Sequence, residues 1–361
     1  MAHRDHSDPQ HPKSQEAAFR ARQQARKNIQ SASSASSTPE ELASRILECD
    51  REALSKAITK SESTLRKDQD FIESLFARLD ISNRPFRSRR FGVTGAPGVG
   101  KSTFIEGFGM EWIQRGHRVA VLAIDPTSQR TKGSILGDKT RMEKLSQHPM
   151  AFVRPSPAAS WLGGTTCSTH QAILLCEAAG YDCIIVETVG VGQSETSVRE
   201  LTDAFILLML PGGGDDLQGI KRGIMEMADL ILVNKADGDA ITMAKQTAQQ
   251  YRNALHMMPL PDGGHQVEVM AISALENQGV REVCATLNQL FKIWEENNWW
   301  LGQRAQQNVR QFHQLVHQFL LNTVQSSSEI EAQWETAINR VRLGQTTAFE
   351  AAHHWIQMKK S

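Results

Sequence analysis

The sequence predicts an α/β fold, a mostly parallel sheet covered by helices, with a helical extension before it and a helical arm after it. The first observation is a set of short β-branched runs separated by helical stretches: FGVTG (91–95), RVAVLAI (118–124), CIIVE (183–187), FILLML (205–210), LILVN (230–234) and VEVMAI (267–272). Runs that are apolar on both faces and alternate with helices imply a parallel sheet buried on both sides. The second is that this pattern is confined to the middle of the chain, with helical periodicity on either side.

Residues 1–37 are polar and end in the run Ser31-Ala-Ser-Ser-Ala-Ser-Ser37, so they are expected to form a disordered arm that buries too little surface to offset ordering. Structure is expected from Thr38: Thr38 caps a helix, Pro39 fits its first position, and Glu41 closes a capping box. Two or three short helices should fill 38–88, the last presenting Leu65, Ile72, Leu75, Phe76 and Leu79 on one apolar face. The sheet domain occupies 89–293. In the arm, 294–361, Val309, Phe312, Val316, Phe319 and Leu320 make an apolar stripe that needs a partner surface, either another chain or this chain's own sheet domain.

Composition narrows the function classes. The 361 residues carry 40 basic and 40 acidic side chains, so there is no basic excess to drive binding to nucleic acid or an anionic membrane. The longest purely apolar stretch, Ala204 to Leu210, is far shorter than the roughly 18 residues of a membrane span. The N-terminus lacks the apolar stretch of a secretory leader, and Asp5, Asp8 and Glu16 sit poorly with a transit peptide, so the expected location is the cytoplasm. Cys49, Cys167, Cys176, Cys183 and Cys284 are too scattered for a disulfide framework and contain no C-x-x-C pair; they read as buried thiols.

The sharpest motif is Gly95-Ala96-Pro97-Gly98-Val99-Gly100-Lys101-Ser102-Thr103, which satisfies G-x-x-x-x-G-K-[ST] between a strand and a helical run. Its glycines let backbone N–H groups wrap phosphates at a helix N-terminus. Lys101 is expected to reach the β- and γ-phosphates and Ser102 to ligate Mg²⁺. Two acids stand at strand ends on the same sheet edge, Asp125 and Glu187, and both are expected to complete the metal shell, directly or through water.

Base choice is read from Asn234-Lys235-Ala236-Asp237 at another strand end. The Asp237 carboxylate suits the guanine N1–H and exocyclic amine, Lys235 packs across the ring and Asn234 ties loops together. A carboxylate left unpaired is what rejects adenine. Ser273-Ala274-Leu275 follows the next strand, where a backbone amide meets the guanine carbonyl. Two glycine-rich loops suit sensing of a γ-phosphate: Glu187 to Glu195, with Gly190 and Gly192, and Pro211 to Arg222.

Taken together, GAPGVGKSTFIE (95–106), AIDPTS (123–128), GSILGDKTRM (133–142), VRPSP (153–157), ILLCEAAGYD (173–182), ETVGVGQSE (187–195) and GGGDDLQGIKRGIMEMADL (212–230) resemble the methylmalonyl-CoA mutase-associated GTPases. The resemblance implies a P-loop NTPase domain of the SIMIBI class, a C-terminal arm used for homodimerisation, and GTP/GDP and Mg²⁺ as ligands. It implies a GTP-hydrolysing chaperone of an adenosylcobalamin-dependent acyl-CoA mutase, slow alone and stimulated by its partner, which gates cofactor loading and protects or reactivates the enzyme. By the same resemblance Asp125, Asp138 and Glu187 match acidic positions around the metal and the attacking water. Gly190, Gly192 and Gln193 fall in a second switch. Asp215, Asp216, Gln218 and Lys221 fall in a third, Lys221 standing also with the catalytic set. Gln129-Arg130-Thr131-Lys132 departs from the family's first switch. Two rival readings are a metal-delivery GTPase of the nickel-insertion type, suggested by His3, His6 and His11, and a kinase of a transport protein.

Overall fold

The computed structural model describes residues 37–63, 65–81, 88–125, 142–157, 164–188, 195–212, 222–324 and 328–357. Its strands are β1 (Arg89–Gly95), β2 (Val119–Asp125), β3 (Ala151–Pro157), β4 (Cys183–Thr188), β5 (Ala204–Met209), β6 (Leu230–Val233) and β7 (Glu268–Ala271). They form one sheet in the order β3-β2-β4-β1-β5-β6-β7, with every pairing parallel. All six predicted runs are strands. The seventh, β3, was not foreseen because Pro155 and Pro157 lack the N–H that a ladder uses. It lies at the sheet edge and pairs with β2 alone, and prolines two residues apart share one side of a strand, where an edge tolerates them.

Before the sheet come α1 (Pro39–Leu47), α2 (Arg51–Ser61) and α3 (Arg66–Leu79). The predicted capping box is formed: Glu41 N–H donates to Thr38 Oγ1 at 3.2 Å and Thr38 N–H to Glu41 Oε2 at 3.1 Å. Ile72, Leu75 and Leu79 are buried and Phe76 packs beside them. Leu65 departs from the expected face: it is the N-cap residue of α3, its side chain lies outside the helical stripe, and it is 55 % exposed.

Helices cover the sheet on both sides. On one side α4 (Lys101–Gln114) and α10 (Val280–Glu296) pack Phe104, Phe108, Trp112, Phe291 and Trp294 against Phe91, Val93 and Ile185. Phe91 meets Phe108 and Phe291 edge-on, with ring centroids 5.3 and 5.7 Å away. On the other side α1 to α3, α6 (Gly164–Ala178) and α7 (Glu195–Leu201) share one core with Ile184, Val186 and Phe205. Each such fully buried side chain contributes roughly 1.5–3 kcal/mol. α9 (Ile241–Leu255) covers β6 and β7 through Ala244, Ala248 and Tyr251. The short α5 (Glu143–Gln147) and α8 (Arg222–Met227) lie before β3 and β6.

The arm contains α11 (Trp299–Val324), α12 (Ser328–Arg342) and α13 (Ala348–Gln357). α10 runs past residue 293, so the sheet domain and the arm share that helix. Of the two settings open for the apolar stripe, α11 takes the outward one: Val309, Phe312, Phe319 and Leu320 are exposed, while Arg304, Gln307 and Gln311 on the opposite face are buried. The inward face is polar because its contacts are hydrogen-bonding groups: Gln307 Nε2 donates to Thr202 O at 2.8 Å, and Arg304 reaches Asp203 and Glu177. Cys167, Cys176, Cys183 and Cys284 are buried and Cys49 half-buried, all five free. Among the described residues no helix is long and apolar enough to cross a membrane.

Candidate nucleotide site

Parallel strands deliver their carboxyl ends to one edge, and the motifs collect there. Val93 of β1 is level with Glu187 of β4, and Glu187 with Ala123 of β2, two residues before Asp125. At the far side Val233 of β6 is level with Ala271 of β7, so Asn234 and Ser273 follow on the same edge.

Between β1 and α4 the phosphate loop needs glycine at two close approaches. Gly95 has φ +152°, and a Cβ there would stand 2.5 Å from the Leu208 carbonyl oxygen of β5. Gly100, the N-cap of α4, has φ +96°, and a Cβ there would stand 2.6 Å from Asn234 Nδ2. Any side chain would push the loop off β5 and off the base motif. Lys101, the first residue of α4, is buried, and its ammonium donates to the carbonyls of Gly95 at 2.7 Å and Ala96 at 3.2 Å. Burial lowers its pKa, and the carboxylates of Glu187 and Glu195 work against that. Ser102 Oγ lies 3.4 Å from Glu187 Oε1, and Glu187 is itself buried. The Ser102 hydroxyl and the Glu187 carboxylate are thus two adjacent oxygen donors at the N-terminus of α4, a set that suits a hard divalent cation.

The base motif is tied into this loop by one side chain. Asn234 is buried; its Nδ2 donates to the Val99 carbonyl at 2.8 Å, and its Oδ1 accepts the Ala274 amide at 2.9 Å. Lys235 has φ +62°, and its exposed side chain stands at the turn that leads to Asp237. Ser273 Oγ donates to Asp237 Oδ2 at 2.6 Å and accepts the Glu276 amide at 3.2 Å. Asp237 Oδ2 is therefore held by a side chain, while the carboxylate is only half-buried. Leu275 is 80 % exposed at the lip.

The structure brings together Gly95 to Thr103, Glu187, Asn234, Lys235, Asp237, Ser273, Ala274 and Leu275. Asp125 ends β2 at the same edge, with its backbone alone described. Asp138, Gly190, Gly192, Gln193, Asp215, Asp216, Gln218 and Lys221, and with them His3, His6 and His11, lie outside the described residues. Among the described residues no group of three or more His, Cys, Asp or Glu side chains could hold a metal ion.

Three features escaped the sequence. Asn234 Oδ1 accepts the Ala274 amide and the Ser273 hydroxyl donates to Asp237, two ties that local spacing does not reveal. Glu195, in the first turn of α7, is buried and acts electrostatically on Lys101; its place in ETVGVGQSE was the one available signal. Thr94 and Thr188 meet through their hydroxyls at 2.7 Å, a pair that only the strand register reveals.

Comparison with known proteins places these features in a family. The model described as "Methylmalonyl Co-A mutase-associated GTPase MeaB" matches residues 54–329. GTPase ArgK of Escherichia coli K12 is 41 % identical over 82 % of this chain and 89 % of its own length. The mouse "Methylmalonic aciduria type A homolog, mitochondrial" is 45 % identical over 66 % of this chain and 60 % of its own. A crystal structure described as an LAO/AO transport system kinase is similar with TM-score 0.67 and 32 % identity, covering 90 % of this chain and 98 % of that one. The expectation of a cytoplasmic location is overturned: the mouse and two Caenorhabditis relatives are described as mitochondrial. It rested on the composition of one polar N-terminal stretch.

Proposed function

The chain belongs to the methylmalonyl-CoA mutase-associated GTPases, and from that premise we propose that it is a GTP-hydrolysing chaperone of an adenosylcobalamin-dependent acyl-CoA mutase. In this reading it docks on the mutase and uses its nucleotide state to gate cofactor loading and to protect or reactivate the enzyme. The observation that carries the reading is the Asn234 tie, which joins the phosphate loop, the base motif and the Ser273 loop into one guanine nucleotide site.

The roles follow from charge and placement. The Lys101 ammonium leaves the Gly95 and Ala96 carbonyls for the β- and γ-phosphates, where it opposes charge building on the transferred group. The Asp237 carboxylate accepts two hydrogen bonds from guanine, and Lys235 covers the ring. Ser102 and Glu187, with Asp125, would hold Mg²⁺, which supplies charge neutralisation at the phosphates; Asp138 belongs to the same set by resemblance. Gly190, Gly192 and Gln193, and Asp215, Asp216, Gln218 and Lys221, are assigned to the second and third switches, through which nucleotide state reaches the mutase.

The outward stripe of α11 supports a homodimer, because four large apolar side chains exposed on one helix call for a cover of their own kind. Sedimentation at the mass of two chains is the expected result. The functional test mixes purified protein, Mg²⁺ and GTP with a methylmalonyl-CoA mutase-type enzyme. Co-migration and faster phosphate release are expected; failure of both would refute the partner.

A further inference from the structure

At the carboxyl edge, β1 and β4 end side by side, with Thr94 next to last in β1 and Thr188 last in β4. Val93 is level with Glu187, so Thr94 is level with Thr188. The alternation of a strand then divides the two pairs between faces. Glu187 points to the α4 side, where its carboxylate meets Ser102. Thr94 and Thr188 point to the opposite side, above Ile184 and Val186, into the layer filled by α6 and α7. Their hydroxyl oxygens are 2.7 Å apart, and the residues are 1 % and 0 % exposed.

Packing does not call for hydroxyls here. Valine has the same branched shape, and branching at Cβ restricts χ1 whether or not the side chain carries oxygen. Burying two hydroxyls in an apolar layer is unfavourable until they bond to each other, and replacing both by apolar groups of the same shape is close to neutral or stabilising. A hydrogen bond kept at such a place fixes position. Thr94 immediately precedes Gly95, the first residue of the phosphate loop, and Thr188 immediately follows Glu187. The pair therefore ties the root of the phosphate loop to the strand end that carries the metal-facing carboxylate.

We propose that the Thr94–Thr188 hydroxyl pair is a positioning device for GTP hydrolysis, holding Glu187 in register with Ser102 across the boundary between β1 and β4. Neither hydroxyl touches nucleotide; both act through the Gly95 peptide and the Glu187 carboxylate. The inference rests on the reading of this edge as the GTP and Mg²⁺ site.

The test is a double-mutant cycle with Thr94→Val, Thr188→Val and the pair together, alongside Thr188→Ser, which keeps the hydroxyl, and Lys101→Ala. Removing one hydrogen bond that positions a reacting group is expected to lower kcat by about tenfold, with KM for GTP within about twofold. The Mg²⁺ concentration for half-maximal rate should rise in both single variants. The double variant should be no slower than either single one, and Thr188→Ser should stay near the parent. The thermal midpoint should fall in each single valine variant, whose remaining hydroxyl is left unpaired, and be unchanged or higher in the double variant. A purely structural role would instead lower the midpoint of the double variant and leave the Mg²⁺ dependence alone. Valine variants with parental kcat and Mg²⁺ dependence, or losses that multiply in the double variant, overturn the proposal. A parent that hydrolyses no GTP, or one unaffected by Lys101→Ala, overturns the underlying reading of the site instead.

Discussion

The two ends of β1 treat polar groups in opposite ways. At the carboxyl end the backbone leaves regular geometry at Gly95, Lys101 rests on two carbonyls, and Asp237 is only half-buried. At the amino end Arg90, Glu177, Asp203 and Arg304 answer one another's charge. Arg90 lies bidentate on Glu177 at 2.8 and 2.9 Å, and its amide donates to Asp203 Oδ2 at 2.8 Å. Arg304 of α11 grips Asp203, with Nη2 to Oδ2 at 2.7 Å, and approaches Glu177 at 3.5 Å. Burial alone would raise the Glu177 carboxyl, but the two guanidiniums hold it near 2. One strand thus carries an open, ligand-ready end and a saturated end that latches the arm to the sheet. Charges that satisfy one another build structure, and groups left within reach of solvent bind.

The latch is the place to break this contrast most severely. Arg304→Ala leaves the fully buried Asp203 without its main counter-charge, and losing one partner of such a pair costs about 3–5 kcal/mol. Chemical denaturation should show that loss, while GTP affinity of the folded fraction stays close to parental because Arg90 still anchors β1 on Glu177. Loss of GTP binding at unchanged stability would erase the distinction between the ends.

The open end is probed by Asp237→Asn. The amide still accepts from Ser273 but no longer offers guanine a charged acceptor, worth about 1.5–3 kcal/mol. Competition binding should show GTP preference over ATP falling by about 10- to 100-fold, with the thermal midpoint little changed.

A smaller effect follows from pH, and it belongs to the amino end. Burial pushes His170, beside Arg90 and Glu177, down to about 4, and burial does the same to His265, which lies 3.4 Å from Asp229. Both stay neutral in the folded protein and take protons only on unfolding. Their stabilisation is complete above 6.5 and is lost as pH falls toward 4. Asp229 opposes them, because burial raises it to about 6 and the folded state holds its proton. With two histidines against one carboxyl, the thermal midpoint should fall between pH 6.5 and 4.5, and His170→Gln with His265→Gln should flatten or reverse the fall.

Legibility in the sequence followed the same division. The P-loop and N-K-x-D motifs depend on local spacing, so Gly95 to Thr103 and Asn234 to Asp237 could be placed by reading along the chain. Six strands were visible because each is a short run rich in β-branched and other apolar residues; β3 was hidden by Pro155 and Pro157, which only an edge position excuses. The latch was invisible. Arg90, Glu177, Asp203 and Arg304 lie far apart in sequence, and nothing local separates them from surface charges. The direction of the α11 stripe was equally a question of tertiary partners: Gln307 and Arg304 face inward because Thr202 and Asp203 offer them acceptors. The Thr94–Thr188 pair needed the register of two strands that are neighbours in space and 94 residues apart in sequence.

The contrast between the ends is tested most directly by amide hydrogen exchange with and without GDP and Mg²⁺. Added protection is predicted at residues 95–104, 234–237 and 273–275, with the segments around Arg90, Asp203 and Arg304 already protected and unchanged. Protection appearing at the latch while the phosphate loop and base motif stay as they were would contradict the account.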